Sequence, residues 1–271
     1  MKIDSAKSEK VKYIIRLQQK ARFRKKEGLF VCEGERLVRE VPPALLEEVY
    51  VAEGAQFAPK TEAWLSNMRG GGATVHILGE AAYQRVSEVV HPQGILALAR
   101  MPERWEPLAD EAGTAPLLLF LENLQDPGNL GTILRAAEAA GATGVVCSAG
   151  CVDFYSPKVV RSTMGSIFRV KHASEDEEGF LRQIEAARKR GIPVYGATLS
   201  ADSIPYDEAD LSGGAVLVVG NEGAGLSERA VAACGRQIMI PMQGEIESLN
   251  AAMAAGLLLF EAARQRRRSG A

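Results

Sequence analysis

Three short stretches carry the side chains best suited to binding and group chemistry. In NLQDPGNLGTILRAAEAAG, residues 123–141, Asn129 and Arg135 stand in and after a turn. In VGNEGAGLS, residues 219–227, Asn221 and Glu222 sit among Gly220, Gly223 and Gly225. In IPMQGEIESLNAAMAAG, which begins at Ile240, Ser248 and Asn250 precede an apolar run. No histidine lies in any of the three, and a guanidinium with a pKa above about 12 is a poor free base. What these residues do well is hold hydrogen-bonding and anionic groups. Arg135 is the telling one. A helical side chain leans back over the residue four positions earlier; here that residue is Gly131, so the guanidinium can reach the Asp126–Asn129 turn and converge with Asn129 on something outside the chain. The alternative is a solvated Arg135 paired with Glu138 at i+3, worth a few tenths of a kcal/mol.

The elements that must position these groups are legible. Leu130, Ile133, Leu134 and Ala137 recur at helical spacing, which predicts a helix over 129–140 with Asn129 as a cap and Gly141 at its end. The 219–227 loop follows a buried strand and precedes a helix that Ser227 caps. Its Gly-x-x-Gly-x-Gly order reverses the dinucleotide fingerprint, which argues against an ordinary Rossmann site. The third stretch predicts a helix over 248–266, capped by Ser248 and apolar on nearly every side, with Asn250 buried in its first turn. A buried amide needs a partner.

Around these elements the 271-residue chain divides into two α/β blocks, 1–100 and 117–271, joined by a linker at 101–116. The first alternates helices at 7–24, 35–40, 60–69 and 79–88 with an extended FVCEG at 30–34 and strands at 47–52, 74–78 and 94–99, a parallel or mixed sheet. The second has strands at 116–122, 143–147, 192–198, 215–220 and 237–241 and helices at 129–140, 157–164, 175–190, 227–233 and 248–266, a parallel-sheet domain.

Composition fits an ordinary globular protein, with 46% hydrophobic and 24% charged residues. Four cysteines without a C-x-x-C pair and three scattered histidines predict neither a metal site nor a disulfide framework, hence a reducing cytoplasm. An N-terminus without an apolar core predicts no signal peptide, and the run 251–260 is too short to span a membrane. Net charge is −2, but residues 1–26 hold ten Lys/Arg against Asp4 and Glu9, a local +8 that leaves −10 for the rest. Such a segment, with Lys20, Arg22, Lys25 and Lys26 at its end, suits a polyphosphate partner; the alternative is a solvated helix surface.

Taken in order and spacing, DPGNLGTILRAAEAAG, VGNEGAGLS and IPMQGEIESLNAAMAAG resemble the three motifs of the SpoU (TrmH) family of S-adenosylmethionine-dependent RNA ribose 2′-O-methyltransferases. The resemblance covers about 117–266. SPKVVRSTMGSIFRV, at 156–170, is similar to the family's segment between its first two motifs, and KVKYIIRLQQKARFRKKEGLFVCEGERLV looks like its accessory RNA-binding domain. The resemblance implies a trefoil-knotted C-terminal domain. It places the cofactor against Leu199, Gly220, Asn221, Glu222, Ile240, Met242, Leu249 and Asn250, and catalysis on Asn129, Arg135, Glu222, Ser248 and Asn250. Lys158 and Arg161 join the basic segment as RNA contacts. No metal is implied. The chain is expected to be a cytoplasmic homodimer through its C-terminal domain, acting on structured RNA, with ribosomal RNA preferred to transfer RNA. Other readings are a non-catalytic RNA-binding or ribosome-assembly protein with the same fold, and methylation of a nucleobase.

Overall fold

Ser8 accepts a hydrogen bond from the Val11 amide and starts the first helix, whose buried face is Val11, Ile14, Leu17 and Gln18. The computed structural model describes residues 2–108, 115–221, 223–244 and 248–270. Along the chain come β1 (Lys2–Ile3), α1 (Glu9–Gln19), α2 (Ala21–Glu27), β2 (Leu29–Glu33), α3 (Glu35–Glu40), β3 (Leu46–Ala52), α4 (Pro59–Gly70), β4 (Thr74–Leu78), α5 (Glu80–Val86) and β5 (Ile95–Arg100). Then follow β6 (Leu117–Leu121), α6 (Pro127–Ala140), β7 (Gly144–Ser148), α7 (Pro157–Ser162), β8 (Lys171–Glu175), α8 (Glu177–Lys189), β9 (Val194–Ala197), β10 (Ile204–Pro205), β11 (Ala215–Val219), α9 (Glu228–Ala233), β12 (Arg236–Met239) and α10 (Ala251–Ser269). Two compact units result. One is the chain up to Glu103 together with Asp153–Phe168; the other is Arg104–Val152 with Arg169 onward.

The first unit is built on a mixed sheet in the order β1-β4-β3-β5-β2, in which β5 runs antiparallel to both neighbours. Ile14, Leu17, Tyr50 and Leu96 form a core on one side; Phe30, Val38, Leu65, Ile95 and Val160 form another. Val160 comes from α7, which packs on β2. The helix expected over 7–24 is broken in two at Lys20, whose backbone is extended. Arg24 explains the break. Nearly fully buried, it turns back to donate to the Leu17 and Gln18 carbonyls, 2.6 and 2.8 Å away, supplying donors that the last turn of α1 lacks, and it pairs with Asp153.

The second unit holds a wholly parallel seven-stranded sheet in the order β10-β12-β9-β11-β6-β7-β8. Its central strands β6, β7 and β11 are buried throughout, as parallel strands covered on both faces must be. Two strands went unforeseen. β8 reads KHASE and buries only Ala173, because it is an edge with no apolar run, and β10 has two residues. Two caps also differ from expectation. Pro127 starts α6 two residues early, so Asp126 is the cap and accepts from Asn129 N at 2.8 Å. Asn250, not Ser248, caps α10, its Oδ1 accepting from Ala252 N and Met253 N at 2.9 and 3.3 Å. Asn250 is therefore exposed, and the burial expected for it is not found. No described helix is long and apolar enough to cross a membrane.

Candidate functional site

Parallel sheets present loops and helix N-termini at the carboxyl ends of their strands, and ligands bind there. In the second unit the carboxyl ends of β9, β11 and β12, the loop after β11 and the start of α10 enclose a cleft of about 600 Å³. Its walls are mostly aliphatic, and no described residue lining it is charged. Leu199, Gly220, Asn221, Ile240, Met242, Ser248 and Leu249 all line it. Asn250 does not, and Glu222 lies outside the described residues, as do 245–247.

The loop after β11 is closed on itself. Asn221 and Gly225 exchange backbone hydrogen bonds at 3.1 and 2.9 Å, while Asn221 Oδ1 accepts from Gly223 N and Ala224 N. At Gly220 a Cβ would stand 2.2 Å from the Gly225 carbonyl, so glycine there permits the loop's close approach. Asn221 Nδ2 donates to the Asn123 carbonyl, 2.9 Å away. Glu122, buried at the end of β6, accepts from Ser227 N and Oγ at 2.7 and 2.6 Å, while Ser227 caps α9 as expected. Glu122 and Asn123 were not singled out in the sequence. An acid directly after five apolar residues was the available signal.

Asn129 and Asn250, 121 positions apart, are brought together, with Asn250 Nδ2 donating to Asn129 Oδ1 at 3.0 Å. The direction is set by the cap, because Asn250 Oδ1 is already engaged by two amides. α6 and α10 pack against each other, which carries both asparagines to neighbouring helix N-termini. Arg135 lies farther along α6, exposed, without a hydrogen bond or ion pair to a described residue. Glu138, its alternative partner, is paired with Arg169. Beneath the turn before α6, Cys151 Sγ sits 3.2 Å from both Leu124 N and Leu121 O, and hydrogen bonding from Cys147, ahead of burial acting the other way, brings its pKa down to about 7.

In the first unit Lys20, Arg22, Lys25 and Lys26 are all exposed. Lys10 is taken up by the half-buried Glu48 and Arg24 by Asp153, which separates these two cations, held within the fold, from those that face solvent; Lys12 pairs with Glu9 on the exposed surface of α1. Lys158 is exposed on α7, whereas Arg161 faces Glu88 and the buried Glu33 at 3.6 and 3.9 Å.

Residues 116–260 match the SpoU rRNA Methylase family, and residues 8–97 match the MRM3-like substrate binding domain. The chain belongs to the SpoU rRNA methylase family. It is 34% identical over 260 residues, 95% of this chain and 97% of the relative, to the 23S rRNA (guanosine(2553)-2′-O)-methyltransferase RlmP of Bacillus subtilis. Among solved structures it is similar to an AdoMet-bound rRNA methyltransferase from Sinorhizobium meliloti, with a TM-score of 0.83, 31% identity and 97% of each chain covered. The AdoMet complex of the SpoU methyltransferase AviRb from Streptomyces viridochromogenes gives a TM-score of 0.82 at 26% identity, covering 96% of this chain and all of that one. This member of the SpoU family thus pairs a methylase half with a substrate-binding half, as the resemblance implied.

Proposed function

We propose that this SpoU-family protein transfers a methyl group from S-adenosylmethionine to the 2′-hydroxyl of a ribose in ribosomal RNA. The observation that carries the reading is the cleft at the carboxyl ends of β9, β11 and β12, whose described lining is mostly apolar and carries no charge, with Ser248 on its wall and the Asn129–Asn250 pair at the adjoining helix starts. The size and lining of the cleft suit a nucleoside with an attached aliphatic chain joined through sulfur. Leu199, Gly220, Asn221, Ile240, Met242, Leu249 and, beside them, Glu222 and Asn250 would hold it. A trefoil threading of the C-terminal half belongs to the same reading.

When bound, S-adenosylmethionine supplies a methyl group made electrophilic by its sulfonium. The protein's part is to align the ribose oxygen behind that carbon and to ease loss of its proton. Asn129, held by Asn250, orients the ribose. Arg135, exposed and unengaged by the described residues, binds the phosphate next to the reacting ribose and lowers the hydroxyl pKa electrostatically, the proton passing to phosphate or water. Ser248 and Glu222 complete the set. Lys20, Arg22, Lys25, Lys26 and Lys158 grip the RNA backbone; Arg161, facing two carboxylates, contributes less.

The protein is further read as a cytoplasmic homodimer. The face of α10 formed by Met253, Leu257 and Phe260 leaves two large apolar side chains 56% and 49% exposed, enough to favour cover by a second copy. The test of the main reading is incubation of the purified protein with radiolabelled S-adenosylmethionine and 23S rRNA, followed by mapping of the label. Label on one ribose 2′-oxygen is expected; label on a base, or on transfer RNA alone, would overturn it.

A further inference from the structure

At the β12 side of the cleft four side chains form a hydrogen-bond cluster with an unequal proton count. Ser203, 8% exposed, donates from Oγ to the Thr198 carbonyl at 2.9 Å and accepts from Ser200 N at 3.3 Å. Thr198 Oγ1 stands 3.1 Å from Ser203 Oγ. Ser200 Oγ, 2.9 Å from Ser203 Oγ, also stands 2.9 Å from Gln237 Oε1 and donates to it, since that oxygen has no proton to give. The amide of Gln237 is thereby turned so that its oxygen faces Ser200. Its two Nε2 protons have no partner among the described residues, and Gln237 lines the cleft.

The place of this cluster in the sheet matters. β12 flanks β9 on the side away from β11, while α6, bearing Asn129, follows β6 on the opposite side of β11. Gln237 therefore stands at the end of the cleft remote from the Asn129–Asn250 pair, where the non-reacting part of a bound donor must lie. A carboxylate placed there would seek a cation, and the described lining offers none. A flat, neutral, acceptor-bearing ring between aliphatic walls meets no such objection. We infer that Gln237 is a specificity-determining residue whose Nε2 donates to a ring nitrogen of the adenine of the methyl donor, with Ser200 and Ser203 as residues that position it.

The inference rests on the cleft being the S-adenosylmethionine site, and calorimetry on the full-length protein tests the two separately. Wild-type protein that binds neither S-adenosylmethionine nor 5′-methylthioadenosine would defeat the site itself. If wild type binds, Gln237→Leu is expected to weaken both ligands by the same factor, about tenfold, the usual worth of one buried hydrogen bond. Among the 1-deaza, 3-deaza and 7-deaza forms of 5′-methylthioadenosine, one is expected to bind wild type as weakly as the parent binds Gln237→Leu, and to lose nothing further in the variant. Ser200→Ala should show a smaller loss that Ser200→Thr restores. Equal binding by wild type and Gln237→Leu, a loss confined to ligands bearing the amino-acid chain, or additive losses with all three deaza analogues would overturn the assignment.

Discussion

Arg135→Ala is expected to abolish methyl transfer while leaving S-adenosylmethionine affinity nearly unchanged, because the side chain points to solvent and is absent from the cleft wall. A turnover assay beside cofactor calorimetry separates the two. Retained turnover removes Arg135 from the mechanism, and lost cofactor binding moves it into the adenosyl pocket. Arg135→Lys should also be poor, since an ammonium lacks the planar fork. At Cys151 the expected signature is chemical. With its pKa near 7 through hydrogen bonding from Cys147, the reactive thiolate accumulates as pH rises through 7, whereas burial pushes Cys147 well up and Cys234 to about 12. Alkylation by iodoacetamide, followed by peptide mass spectrometry, should label Cys151 first with a midpoint near pH 7. A midpoint above 8.5 would count against the described hydrogen bonding.

At the scale of elements, Asn250 does two jobs that substitution can separate. Asn250→Ala removes the cap of α10 and should cost about 1 kcal/mol of stability in a denaturant melt. Asn250→Asp keeps an acceptor for Ala252 N and Met253 N, so stability should stay close to wild type. Its second oxygen, however, cannot donate to Asn129 Oδ1, and turnover should fall. Equal destabilisation by both variants would show that the contact between helices, not the cap, holds the start of α10. The basic helix α2 has the corresponding division. Reversing Lys20, Arg22, Lys25 and Lys26 to Glu should flatten the salt dependence of RNA binding by roughly one counterion unit per lost phosphate contact. The fold should survive, because the buried cation in that segment is Arg24. Arg264 and Arg266 are poor substitutes as RNA contacts. Arg264 is paired with Glu261, and Arg266 donates to the Pro116 and Gly213 carbonyls.

For the whole molecule the apolar excess of the last helix splits into two populations. Ala255 and Leu258 are at most 1% exposed within one chain, so charges there should unfold it rather than separate two copies. Leu257→Glu and Phe260→Glu instead fall on the outer face with Met253. Light scattering on these two variants should report a folded monomer where wild type is a dimer. A monomeric wild-type protein at micromolar concentration would sink the dimer reading.

What the sequence by itself determined was everything set by local periodicity and short spacing. Apolar runs of five marked β6 and β11, the shorter Val145-Val146-Cys147 run marked β7, the i, i+3, i+4 pattern marked α6, and three glycines after a strand marked the loop at 220–225. The motif order was enough to indicate the family. Which asparagine caps, which arginine is buried and which face of α10 remains bare were decided only by the tertiary structure. Capping depends on which residue leaves helical backbone first, and Pro127 moved that point by pre-setting its own dihedral angle. Arg24 resembles its basic neighbours in sequence, but a partner 129 positions away and two carbonyls at a helix end draw it inside. The polar edge strand β8 and the Ser200–Ser203–Gln237 cluster were illegible for the same physical reason: hydrogen bonds between segments distant in sequence leave no periodic trace in either one.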